Sequence, residues 1–501
     1  MAKRISAVGY AALVDFFKIK AFPHYRSSYI VSHGASYSER VNFEEAHYYS
    51  PKYFPKDFQN PLNHLEFALK YDGLNLEILY YVFEKLESTD LEAYIRSRPT
   101  SKLARKIWYL YEFLTHRKLN IEDATGGSYT LLLNSKDYYT GKVKRSRRHY
   151  VDDNLLGNVN FCPIVRKTPI LKKFEAADLA ETAKKLLAQY DSTIITRAVN
   201  YLYIKETMSS YEIEREKPDA SRTQRFVTAL QKADHIGMLS KQLLIDLQNI
   251  IVDPRYANTD YRSFQNYIGM QARLDTSYAT IEYISPKPED VTSLMEGLID
   301  CFHRMMANNI HPVVIAASIS FGFVFIHPFE DGNGRLHRFL IHYIFTNKGF
   351  VPFGAIFPIS ATILKERALY DSLLDFFSKP LMNLIDSYTI DDQGRLTVFG
   401  ETALHYRYLD YTNFVEFLFQ CVEKTIQTDF KNELNFIVHF DKVKKEIQEI
   451  VDMPDNRINL FIQLVLQNRG VLSGKKRESL FAKLTDDEIK IMEAVVKENM
   501  L

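Results

Sequence analysis

Apolar residues recur three and four positions apart through much of this chain, the spacing that lines one face of an α-helix. "LEFALKYDGLNLEILYYVFEKL" (65–86) reads as two helices with Asp72-Gly73 as the turn between them. "SKLARKIWYLYEFLTH" (101–116) is another helix, with Ser101 as its N-cap and the chain's single tryptophan, Trp108, inside it. "SYTLLLNSKDYYTGKV" (128–143) predicts a small hairpin, and a long helical pattern spans 173–189. From about 190 to 375 helical patterns continue around one short extended segment, "ATIEYI" (279–284), which "SPKPEDV" stops before the next helix. His311-Pro312 starts a strongly apolar helix, with proline in its first turn. Residues 380–501 are helical again: "RINLFIQLVLQN" ends toward Gly470, and "TDDE" (485–488) is a capping box. The pattern predicts a mainly α protein.

Composition narrows the class. A chain of 501 residues with 46% hydrophobic and 25% charged positions has ample material for a core and for several structural units. Lysine plus arginine (63) nearly cancels aspartate plus glutamate (62), so no whole-chain charge draws it to nucleic acid or a membrane surface. The basic run "KVKRSRRH" (142–149) reads as a solvated loop. Cys162, Cys301 and Cys421 lie far apart without CxxC spacing, which argues against a disulfide framework or a cysteine zinc site and fits a reducing cytoplasm. "MAKRISAVGYAALVDFF" begins like a signal peptide, but Asp15 interrupts the apolar run and Lys18 and Lys20 follow, so it reads as an amphipathic helix. No stretch reaches a membrane span. His303, His311, His337 and His342 show no zinc spacing.

One polar segment interrupts two apolar ones. "HPFEDGNGRLHR" (327–338) follows Val313–Ile326 and precedes "FLIHYIF". A helix beginning near Gly332 would present free amides and its dipole to an anion, and the glycines let a ligand approach the backbone. Arg335 and Arg338, three apart, can each hold a further phosphate. Asp331 is a hard oxygen ligand placed for Mg²⁺ bridging phosphates, and the Asn333 side chain can bond a phosphate oxygen. His327 can serve as a general base. The segment lacks the GxxxxGK[ST] of a P-loop and the third glycine of a dinucleotide fingerprint.

The segment matches every position of HPFx[DE]GNGRxxR, so the chain resembles the Fic (filamentation-induced-by-cAMP) family, whose usual activity is transfer of AMP from ATP to a protein hydroxyl. The resemblance implies a Fic helical core with a short β-hairpin flap at 279–284, flanked by helical N- and C-terminal regions. It makes His327 the base that deprotonates a serine, threonine or tyrosine. It places Asp331 on Mg²⁺ at the α- and β-phosphates, Asn333 with the Gly332 and Gly334 amides on the α-phosphate, Arg335 on the β-phosphate and Arg338 on the γ-phosphate. Glu330 falls at the variable position. Upstream, "ETMSSYEIERE" (206–216) is similar to the family's inhibitory helix [ST]xxxE[GN], with Ser210 and Glu214 as its serine and glutamate. Glu214 would then pair with Arg338 and displace the γ-phosphate. Position 215 departs from the pattern, being arginine rather than glycine or asparagine.

Three regions follow: 1–190, helical and without an assigned role; 191–378, the Fic domain with its upstream helix; and 379–501, helical again. The expected ligands are ATP and Mg²⁺ and the expected partner is a target protein, with no membrane and no nucleic acid; the terminal regions select the target or build a homo-oligomer. A different phosphate-containing donor, such as another nucleotide or a phosphocholine carrier, also fits the motif, and two rival functions remain at this point. One is the same site run backwards, removing AMP with Glu214 aligning a water. The other is a toxin-like regulator whose terminal domains bind nucleic acid.

Overall fold

The computed structural model describes residues 5–41, 44–271 and 279–501. Helices hold 57% of the chain, and the fold is mainly α. The local signals explain many of the boundaries. Asn75, after the left-handed Gly73 (φ 104°), caps the Leu76–Lys85 helix through a bond from the Ile78 amide. Ser101 caps Lys102–Thr115 by accepting from the Ala104 amide at 3.3 Å. Thr485 and Glu488 close a reciprocal capping box on Asp486–Met500.

The N-terminal region differs from the helical pattern expected of it. Ile5–Val8 is a strand, and the helix begins only at Tyr10. That strand joins Arg26–Val31, Glu44–Tyr49 and Tyr37–Val41, in this spatial order, as a four-stranded sheet whose central pair is parallel. Val8, Ile30 and Tyr49 pack with Phe67 beneath it, so its period-two alternation serves one buried face. The hairpin expected at 128–143 does not form. Only Thr130–Leu131 is extended, pairing with Val151–Asp153 in a three-stranded sheet completed by Lys144–Ser146. Successive Leu132 and Leu133 are both buried, which no half-exposed strand would allow. The 173–189 pattern is two helices, Pro169–Ala176 and Leu179–Leu187, broken at the left-handed Asp178, whose side chain caps the second.

Most of the basic run is exposed, with Lys142, Lys144, Arg145 and Arg147 at the surface, while Arg148 is drawn into the fold. The Arg148 guanidinium bonds to Glu112, Asp123 and the carbonyls of Leu119 and Ile121, and lies over the Trp108 ring. Arg145 pairs with Asp152 at 2.9 Å.

The central layer is built on the helix Pro312–Ile326, hereafter the apolar helix, whose side chains are buried almost throughout. Against it pack the helix Asn333–Asn347, hereafter the motif helix, and Pro288–Met306. The helix Ser192–Ile213, hereafter the upstream helix, crosses the motif helix and also contacts Ile359–Lys365. A smaller core around Val443, Ile458, Phe461, Val465, Met492 and Val496 serves the last helices. The expected flap is an antiparallel hairpin of Tyr267–Gln271 and Ala279–Ile284; its connecting residues 272–278 lie outside the described residues. Tyr283 is buried rather than exposed, its hydroxyl donating to the Phe325 carbonyl at the end of the apolar helix. Among the described residues no helix is long and apolar enough to cross a membrane.

Candidate active site

The apolar helix stops where His327 takes a left-handed conformation (φ 53°), its amide still bonded to the Phe323 carbonyl at 3.0 Å. The loop Pro328–Gly332 then turns into the motif helix, with Gly332 (φ 88°) as its N-cap. Leu336 is the first amide returned to the helix, to the Gly332 carbonyl at 2.9 Å, so the Asn333, Gly334 and Arg335 amides lie in the first turn, where the helix offers them no acceptor. That turn is an anion seat by construction.

Side chains hold the loop in shape. Asn333 is buried, accepting from the Phe329 amide at 3.0 Å and donating to the Phe329 carbonyl at 2.8 Å. Each polar end of this side chain is thus engaged with Phe329 in closing the loop, while one Nδ2 hydrogen stays available to a ligand. Phe329 is fully buried beneath, between the rings of Tyr261 and Phe323.

Two residues that the sequence did not single out complete this scaffold. Buried Arg262 donates from Nε to the His327 carbonyl at 2.8 Å and from its terminal nitrogens to Phe264 and Pro286, while its amide bonds Pro328. It thus ties the catalytic loop to the base of the hairpin, and burial pulls its pKa down to about 10. Gln248, also fully buried, donates to the Asp331 carbonyl at 3.2 Å. Neither carries a local signature, because each acts on backbone carbonyls brought near only by tertiary folding.

His327 is half-buried, and Nδ1 lies 3.1 Å from the Val324 carbonyl. That contact selects the tautomer with hydrogen on Nδ1 and leaves Nε2 as the proton acceptor. Burial lowers its pKa to about 4, helped by the Arg262 charge and opposed by Glu214 and Asp331, so the ring is neutral at pH 7.

Asp331 sits on the rim, its Oδ1 accepting from the Gly332 amide and from Arg335 Nη2, both at 2.6 Å. Among the described residues no group of three or more His, Cys, Asp or Glu side chains could cage a metal. One carboxylate beside an anion seat nevertheless suits Mg²⁺, which takes one or two protein carboxylates and completes its shell with phosphates and water. The donor set fits a metal that arrives with a nucleotide.

Arg335 and Arg338 are both buried, and the upstream helix meets them. It runs antiparallel to the motif helix with polar rungs one turn apart. Glu206 Oε1 lies 2.7 Å from His342 Nε2, deep in the core, and Oε2 accepts from the Ser360 amide. One turn on, Ser210 takes Arg338 Nε on its hydroxyl at 2.8 Å and Nη2 on its carbonyl at 2.7 Å. One turn further, Glu214 Oε1 accepts from Arg338 Nη2 at 2.8 Å and reaches the level of Gly334. A Cβ on Gly334 would stand 2.2 Å from that oxygen, so glycine is what admits the carboxylate to this corner. Burial alone would raise the Glu214 pKa, but Arg338 outweighs it and holds the group below the usual range. Its side chain keeps 36% of its exposure, which marks it as the outer rung.

The end of the upstream helix accounts for the unusual residue at 215. Arg215 is left-handed (φ 58°), with its amide on Glu212 O at 2.9 Å and the Glu216 amide on Tyr211 O at 3.0 Å. These paired bonds are a Schellman terminus, whose left-handed position glycine or asparagine fills most readily. Arginine occupies the same geometry at a steric cost.

Every residue singled out in 327–338, together with Ser210 and Glu214, is thus gathered at one corner, where the Asn333 side chain braces the loop through Phe329. His303, His311, His337 and His342 form no shared site, since His311 caps the apolar helix and His342 serves Glu206.

Residues 238–345 match the sequence model of the Fic/DOC family. A protein named Protein adenylyltransferase Fic from Nematostella vectensis is 37% identical over 71 residues, 14% of this chain and 17% of that protein. One of the same name from Culex quinquefasciatus is 24% identical over 256 residues, 48% of each chain. The chain thus matches about half or less of the length of these curated relatives. A solved Fic family protein from Desulfovibrio desulfuricans G20 aligns with 66% of this chain and 86% of its own at 16% identity, with a TM-score of 0.37.

Proposed function

Because this chain carries a Fic domain over residues 238–345, we propose that it is a protein adenylyltransferase that moves AMP from Mg-ATP to a serine, threonine or tyrosine hydroxyl, and that Glu214 restrains it. The observation that carries this reading is His327, its Nδ1 turned to the Val324 carbonyl so that Nε2 is left as the proton acceptor, beside a helix start flanked by two buried arginines.

The acceptor hydroxyl oxygen forms a bond to the α-phosphorus while the bond from that phosphorus to the bridging oxygen breaks. Pyrophosphate leaves, and His327 Nε2 takes the hydroxyl proton. The first-turn amides of the motif helix hold the α-phosphate and receive its developing charge. Arg335 and Arg338 hold the β- and γ-phosphates. Asp331 would hold Mg²⁺, which supplies charge neutralisation on the phosphates when bound. In the resting state Glu214 Oε1 takes a bond from Arg338 Nη2 while Ser210 holds Nε, so the γ-phosphate would meet a carboxylate beside the cation it needs. Three buried, unpaired cysteines accord with a reducing, cytoplasmic setting.

Radiolabel transfer from α-³²P-ATP, with γ-³²P-ATP as control and cell lysate as target, tests the reading. Label from the α-phosphate should appear on protein chiefly with Glu214→Gly and vanish when His327→Ala is added. Label from the γ-phosphate, or transfer that survives loss of His327, refutes it. Removal of AMP from a modified protein that Glu214→Gly abolishes would establish the reverse reaction instead.

A further inference from the structure

We propose that the upstream segment carries a second restraint, Glu216, which withholds Arg335 as Glu214 withholds Arg338. The inference rests on the nucleotide seat described under the proposed function and extends it to a residue outside the inhibitory pattern.

Glu216 reaches Arg335 with both oxygens. Oε1 lies 3.0 Å from Nη2, and Oε2 accepts from Nη1 at 3.1 Å. One hydrogen bond and one close ion-pair contact thus cover the end of the guanidinium that a phosphate would need, so the two ligands exclude each other. The rest of the surroundings reinforce the occupied state. Nη2 also bonds Asp331 Oδ1 at 2.6 Å, and Glu216 Oε2 accepts in addition from Arg222 Nη2 at 3.0 Å. The Tyr211 ring lies about equally far from both guanidinium groups, 5.3 Å from Arg335 and 5.2 Å from Arg222. Two carboxylates and two guanidinium groups thus close a network over the β-phosphate seat. It also draws on the one carboxylate placed for the metal.

The helix terminus explains how glutamates two apart meet arginines three apart. On a continuing helix, residues 214 and 216 would point about 200° apart. The left-handed turn at Arg215 reverses the chain, and the bond from the Glu216 amide to Tyr211 O fixes the second glutamate beside the first. Glu216 retains 33% of its side-chain exposure, so a phosphate can reach and displace it. Removing Glu214 alone therefore frees only one of the two guanidinium groups.

Inorganic pyrophosphate with Mg²⁺ is the probe, titrated by calorimetry against the full chain carrying Glu214→Gly, Glu216→Gln, both, or both with Arg335→Gln. Glutamine keeps the size and acceptor of Glu216 but removes its charge, and thermal melts verify folding. Loss of one charge-assisted fork should tighten pyrophosphate about tenfold when Glu216→Gln joins Glu214→Gly. The gain should disappear with Arg335→Gln. Unchanged or weaker binding overturns the proposal, because Glu216 would then only position Arg335. A gain that persists without Arg335 overturns it as well. The readout needs no AMP transfer, so failure of the transferase reading leaves this result interpretable. Absence of pyrophosphate binding in every variant removes the seat and the proposal together.

Discussion

Arg215 offers a test in which a single exposed side chain sets the balance of the resting state. It occupies a left-handed position at the end of the upstream helix, between Glu214 and Glu216 and one residue from each. A left-handed residue with a Cβ costs roughly 1–2 kcal/mol. Glycine removes that cost but orders a freer backbone, which returns about 0.5–1 kcal/mol. The net gain for Arg215→Gly is therefore about 0.5–1 kcal/mol, given to the docked form of the terminus. At 1.4 kcal/mol per decade this shifts the docked-to-released ratio about two- to fivefold. Basal transfer of α-label should fall by that factor, and the melting temperature should rise by about 1–3 °C. Arg215→Val, which is branched at Cβ, should do the opposite in both assays. The comparison needs equal protein concentrations and saturating ATP, so that only the resting equilibrium differs. If Arg215→Gly lowers the melting temperature or raises transfer, the Schellman terminus is not what holds the glutamates in place.

Two further outcomes follow from the site. In the Glu214→Gly enzyme the acid limb of kcat/KM should fall toward pH 4–5, because burial depresses the His327 pKa to about 4; a midpoint near 6.5 would mean an exposed imidazole. The sign for stability is the same: the unfolded chain takes up a proton below about pH 6.5 while folded His327 resists it, so His327→Asn should lessen the loss of stability between pH 6.5 and 4. Gly334→Ala places a methyl group against the flexible end of Glu214 and should release Arg338; its gain in transfer should not add to that of Glu214→Gly, and additive gains would show that the two changes act on different contacts.

The arrangement of the candidate site was legible because it is contiguous. Residues 327–338 bring the His327 imidazole, the loop and the helix start together in one run, and helical spacing alone puts Ser210 and Glu214 on one face. Glu206 lies on that same face, yet one more glutamate at helical spacing has no meaning until His342 and Ser360 are brought to it. Glu216 has no signature of its own in the sequence, since its contact depends on the reversal at Arg215. The N-terminal sheet escaped for a different reason. Its strands are four to six residues long, its central pair is parallel, and the alternation that marks them is diluted by tyrosines and serines of intermediate burial. Arg262 and Gln248 were invisible because their partners are main-chain carbonyls, which every residue possesses.

The antiparallel rungs between the upstream and motif helices grade from fully buried at Glu206 and His342 to about one-third exposed at Glu214 and Glu216. Opening therefore has a direction. The outer turn can fray while the inner rungs stay bonded, and local fraying costs far less than undocking twenty-two residues of helix. Both arginines pair with carboxylates of that outer turn, so under the proposed restraint a leak would be built in: the competent form would be reached by local fraying within one molecule, and a partner would need only to catch the frayed end.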